Sequence, residues 1–199
     1  MTKSNPALEV VFQMTNSRKF HFFEQDQANA RAFMDNLKPQ KFFSEASVLV
    51  AGDLKLSGLS TSSIAWVAFK TDIKPEWHYP AHIQKVDVIN KQIFENALKT
   101  EVRKSKDIIT NSQQGGRPVK IYWQALTAEG TTWFFRVHSQ TLINIEKISV
   151  PRIIRDLPSF YAVSPNGGGV ILNMQNVISW TSHPGPVELP PGVWTFSEP

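Results

Sequence analysis

An ordered set of landmarks occurs twice along this chain, and no other feature limits its fold as strongly. A long-period internal repeat decides architecture before any local reading of helix or strand does. Near the start, Leu8-Glu9-Val10-Val11-Phe12-Gln13-Met14 reads as a strand. A turn at Asn16-Ser17 follows, and Phe20-His21-Phe22-Phe23 reads as the return strand. Downstream, Val119-Lys120-Ile121-Tyr122-Trp123, a turn at Ala128-Glu129-Gly130 and a strand over Thr131–Val137 make the same shape.

A helix follows each hairpin. Asp26 is a natural N-cap, its carboxylate accepting from the free N–H groups of the first turn. Ala30, Phe33, Met34 and Leu37 then share one helical face, and Pro39 stops the run. In the second half Ser149 caps, Pro151 suits a first turn, and Val150, Ile153, Ile154 and Leu157 repeat the spacing before Pro158. An aromatic pair follows each proline, Phe42-Phe43 and Phe160-Tyr161. Two short strands complete each unit. These are Val48-Leu49-Val50 and Ile64–Phe69 in the first, Val170-Ile171-Leu172 and Val177–Trp180 in the second. Matching landmarks lie about 112 residues apart at the hairpin, 120 at the helix and 114 at the last strand, which implies an insertion around Thr141–Lys147.

The expected fold is therefore α+β. It has two similar units from a tandem duplication, 1–77 and 119–199, each a small mainly antiparallel sheet with one packed helix. Units of this size bury a smaller fraction of their surface than larger domains do, so they should pack together by sheet edges or aromatic faces. Four tryptophans mark the proposed contact: Trp66 and Trp180 at matching strand ends, Trp77 and Trp194 at matching exits after proline. Aromatic residues with a polar handle are enriched at such interfaces.

Residues 78–118 form the connector. Ile83, Val86, Ile89, Ile93 and Ala97 fall on one helical face, predicting an amphipathic helix over Val86–Val102. Lys85, Lys99, Arg103 and Lys106 gather on the far side of that helix. The segment carries seven basic and four acidic residues, against nine and eight before it and five and five after it. Such a face suits sequence-independent, salt-sensitive contact with a polyanion. It equally suits a solvated helix surface.

Chemistry has little to converge on. Cysteine is absent, which removes disulfides, thiolate nucleophiles and Cys-based zinc sites. No nucleophile elbow, P-loop or dinucleotide fingerprint occurs. Asn166-Gly167-Gly168-Gly169 precedes a strand and reads as a hairpin turn. His78 and His82 have a metal-compatible spacing, but Pro80 breaks the helix they would need. His21 and His138 occupy similar places in the two hairpins and could act as acid or base. No metal and no cofactor is expected, and the reading leans away from an enzyme.

No apolar run approaches the ~20 residues of a membrane span, and the polar N-terminus lacks a signal-peptide pattern. A soluble cytoplasmic protein is expected. The leading functional expectation is a non-catalytic binding or scaffold protein acting through a protein partner or self-association. Nucleic-acid or polyanion binding through the connector is the alternative, and an enzyme with a pocket between the units is the third.

Overall fold

In the computed structural model, described for residues 5–52, 55–80, 82–111, 116–140 and 157–184, strands dominate. The first half holds β1 (Leu8–Met14), β2 (Lys19–Glu24), α1 (Gln27–Asn36), β3 (Ser47–Gly52), β4 (Lys55–Ser60) and β5 (Ile64–Lys70). Then come β6 (Ile83–Ile89), α2 (Lys91–Thr100) and α3 (Val102–Asn111). The second half holds β7 (Pro118–Thr127), β8 (Thr132–Gln140), β9 (Ser159–Val163), β10 (Gly169–Asn173) and β11 (Val177–His183). The chain is mixed α/β with one large, mainly antiparallel sheet. None of its described helices is long and apolar enough to cross a membrane.

Nine strands form that sheet in the order β11-β7-β8-β6-β9-β10-β5-β1-β2, and β3-β4 stand apart as a two-stranded ribbon. The sheet therefore runs continuously through both halves, β10 of the second pairing with β5 of the first. Among the described residues only β6 and β9 pair in parallel, through Asp87 opposite Val163.

Side chains alternate between the faces, as pleating requires. One face collects Val11, Trp66, Val86, Trp123, Phe135, Phe160 and Leu172 in a single core. The other carries two cores, Phe12, Ile64, Val67 and Phe69 beneath α1 and Ile89 and Tyr122 beneath α2. The sheet is curled. β5 and β8 stand four strand spacings apart, about 19 Å if flat, yet the Trp66 and Trp133 rings meet at 5.2 Å.

Local signals explain several elements. Asp26 Oδ1 accepts from the Asn29 N–H at 2.8 Å, and Ala30 and Met34 are buried. Phe33 stays 43% exposed, so the inward stripe is narrower than its spacing suggests. The glycine run does make the β9–β10 turn. There Gly168 has φ +62°, and a Cβ would sit 1.9 Å from the Phe69 carbonyl oxygen, so only glycine fits.

Three expectations need correction. Ile83–Ile89 is a strand, not the first half of a helix. Both of its faces are buried, Val86 on one and Ile89 on the other, and two buried faces imitate a helical spacing. Asn90 then caps α2, its side chain accepting from the Ile93 N–H. The aromatic pairs are not equivalent: Phe42-Phe43 follow a 3-10 turn at Pro39–Lys41, while Phe160-Tyr161 lie within β9. The strand preceding β5 is β4, which the sequence reading passed over. The helix expected over Val150–Leu157, the Thr141–Lys147 insertion and Trp194 lie outside the described residues, Leu157 itself excepted.

Candidate functional site

The hairpins and their neighbours recur with one spacing. Met14 N–H donates to the Arg18 carbonyl and Ser17 N–H to the Met14 carbonyl; Thr127, Thr131 and Gly130 repeat both bonds 113 residues on. Thr15 N–H donates to the Ser63 carbonyl and Ala128 N–H to the Asn176 carbonyl, again 113 apart at each end. β5 pairs with β1 as β11 pairs with β7, and each follows a short 3-10 turn, Thr61–Ser63 and Met174–Asn176.

The halves differ at the outer edge of the hairpin. In the second half β8 pairs with β6 through Lys85–His138, Asp87–Arg136 and Ile89–Phe134. In the first half β2 ends the sheet, and among the described residues no strand pairs with its outer edge. The Met14–Arg18 bond fixes the alternation of the β1–β2 ladder: Phe20 and Phe22 bond inward to β1. The N–H and C=O groups of Lys19, His21 and Phe23 therefore point outward.

A groove of 350 Å³ runs along this edge. β2 supplies His21, Phe22 and Phe23; α1 supplies Phe33; the ribbon supplies Val50 and Ser57. Large apolar side chains lie exposed around it, Phe23 at 59% and Phe33 at 43%. On the ribbon's outer face Leu49 is 65% and Leu56 67% exposed. Cross-strand pairing of Ala51 with Leu56 and Leu49 with Gly58 leaves that face without charge. His21 sits beside the groove with its Nδ1 2.7 Å from Glu9, and Lys70 donates to the same carboxylate at 3.0 Å. The His21 hydrogen bond, with help from Lys70, outweighs desolvation and holds the Glu9 carboxyl below the usual range.

A second cluster lies under α3. Asp87, nearly buried, contacts Lys85 at 2.7 Å, His138 at 2.8 Å and Arg136 at 3.1 Å. Burial pushes its carboxyl up, but the three hydrogen bonds outweigh that and hold it below the ordinary value. Glu101 accepts from Lys120 and Tyr122, each at 2.8 Å, which lowers its carboxyl too. A cavity of 500 Å³ opens beside this network, lined by Lys104, Lys120, His138, Glu101 and Ser139 among others.

The basic residues expected together are divided. Lys85 belongs to β6 and is bonded to Asp87. Lys99 lies on α2 and Arg103 and Lys106 on α3, each of them exposed. Trp66 is buried, donating to Glu129 Oε1 at 2.6 Å; Trp77 is buried against Phe69 and Tyr161; Trp180 packs on Trp123. The exposed edge of β2 escaped the sequence reading. Alternation of Phe20, Phe22 and Phe23 reveals a strand, but not which of its edges lacks a neighbour.

Among the described residues no group of three or more His, Asp or Glu is placed to hold a metal ion. The fold and groove describe a mixed α/β chain with an open strand edge. Comparison with protein-family models, curated proteins and solved structures gives no match.

Proposed function

We propose that the chain is a diverged tandem duplication acting as a non-catalytic binding protein, which contacts a protein partner through the open edge of β2 and the apolar side chains around it. The constant spacing of 113 between the hairpin, 3-10 and closing-strand bonds supports the duplication. One observation carries the binding reading: Phe23 and Phe33 line the groove and are exposed beside backbone groups that no other described strand uses, and Leu49 and Leu56 are exposed on the outer face of the ribbon that forms its other wall. Apolar surface gathered beside an open edge marks an interaction site, and proteins otherwise blunt such edges with charge or proline.

The test is selection of extended peptides from a displayed library against the whole chain. It is repeated on a variant combining Phe23→Ser, Leu49→Ser and Leu56→Ser. Peptides that bind the parent and lose about tenfold or more in affinity on the variant support the reading. No enrichment, or equal binding to a folded variant, overturns it.

A second reading is favoured by the cation-lined cavity beside α3 and the exposed Lys99, Arg103 and Lys106. It is polyanion contact through α2 and α3, and it predicts binding that weakens steeply with salt.

A further inference from the structure

The second half contains a strand at the place where the first half has its groove. In chain order each half runs hairpin, then a two-strand pair, then a closing strand: β1-β2, β3-β4, β5 and β7-β8, β9-β10, β11. Between β8 and β9 sits β6, antiparallel to β8 and parallel to β9. Between β2 and β3 there is no strand among the described residues, and the 350 Å³ groove lies there.

The backbone groups match as well. Starting from the Thr127–Thr131 bond, the same alternation aims the amides of Thr132, Phe134 and Arg136 away from β7 and toward β6. Those positions stand 113 residues beyond Lys19, His21 and Phe23, whose amides point away from β1, the last two beside the groove. At strand spacings of about 4.8 and 10 Å and a rise of about 3.3 Å per residue, the enclosed volume takes about two residues. The rest of an added strand would lie along the open edge.

From this placement we infer that the groove between β2 and β3 receives an extended peptide strand from a partner, antiparallel to β2, as β6 is received between β8 and β9. The inference rests on the protein-contact reading above and names the occupant. Its chemistry follows from β6. Val86 and Val88 face the core shared with Phe135 and Val137, while Lys85 and Asp87 lie on the opposite face, where Asp87 is buried against Arg136 and His138. A strand entering the first half presents residues opposite Phe20 and Phe22, the face of the Phe12 core. It should therefore carry two apolar, preferably β-branched residues two positions apart. Its other face meets His21, Glu9 and Lys70, so polar side chains belong there. Main-chain bonds supply the general affinity in such strand addition, and alternate side chains supply the choice.

The probe is a synthetic peptide of residues 82–90, added to the whole chain and followed by amide hydrogen exchange. Exchange at Lys19, His21 and Phe23 should slow about tenfold or more. A peptide with both valines replaced by lysine should give no protection. His21→Pro removes an N–H that faces the groove and serves no described pairing, so the variant folds and loses the protection. Missing protection at about 1 mM peptide, protection confined to other strands, or protection unchanged in His21→Pro overturns the inference. Library peptides that depend on Leu49 and Leu56 yet ignore His21→Pro would leave the protein-contact reading standing and remove strand addition alone.

Discussion

β2 and β8 are the return strands of two hairpins with the same turn bonds, yet they live in different surroundings. β8 has β7 on one side and β6 on the other, and α2 packs Phe94 against its Phe134. β2 has β1 on one side and a groove on the other. The contrast shows that hairpin chemistry and edge protection are separate problems. The hairpin is fixed by its turn and its cross-strand pairs. Whether the outer edge is covered depends on a strand brought from elsewhere in the chain.

Proline substitution breaks this comparison most sharply. Phe134 faces β6 across its pairing with Ile89. Phe134→Pro should cost about 3 kcal/mol or more, since it removes a ladder bond and a packed ring. His21→Pro, at the open edge, should cost about 1 kcal/mol or less. Urea denaturation of the two variants reads the difference directly. Equal losses would mean that the β2 edge is covered after all.

The two carboxylate clusters sharpen it further. Asp87 is 8% exposed and is held by Lys85, Arg136 and His138, whereas Glu9 is 19% exposed and its partners His21 and Lys70 are 40% and 62% exposed. Both carboxyls are held below their ordinary values. Their stabilisation is therefore present at neutral pH and is lost as pH falls through the lowered pKa. Asp87→Asn should cost about 2 kcal/mol at pH 7 and flatten the acid limb of the stability profile. Glu9→Gln should cost about 0.5 kcal/mol, because solvent screens its pairs. Thermal unfolding from pH 7 to pH 3 checks both. A larger acid-limb change in Glu9→Gln would reverse the assignment.

The smallest effects lie in the turns. Ser17 and Gly130 hold the same position, at φ 67° and 94°. Side chains resist that left-handed region and glycine does not. Ser17→Gly should raise stability by about 0.5–1 kcal/mol, and Gly130→Ser should lower it by a similar amount. For a chain of this length each shift amounts to about 2–4 °C or less in Tm.

Much of the local structure was legible. β1 was placed residue for residue, because β-branched and aromatic residues end there at a turn-forming Asn16-Ser17. α1 was bounded by Asp26 and Pro39, and Gly167–Gly169 was recognised as a turn because it follows Asn166 and precedes a strand; Gly167 and Gly168 there have φ 105° and 62°. β6 was misread because a strand buried on both faces has no period-two signal to distinguish it from a helix. Of the candidate sites, the basic helix face was only partly legible. Arg103 and Lys106 share α3, but Lys99 belongs to α2 and Lys85 to β6, so no single helix joins the four. The groove residues appeared in the sequence only as strand and helix members.

By itself the sequence determined what depends on neighbours a few residues apart: turns, the Asp26 cap, and the β1–β2 and β7–β8 hairpins. Tertiary structure alone decided which strands lie side by side. Residues 83–89 enter between β8 and β9, β10 joins β5, and β2 is left at the end. Backbone N–H and C=O groups are the same in every residue. A strand's choice of partner is therefore made by the burial of whole faces across the curled sheet, which no local pattern records.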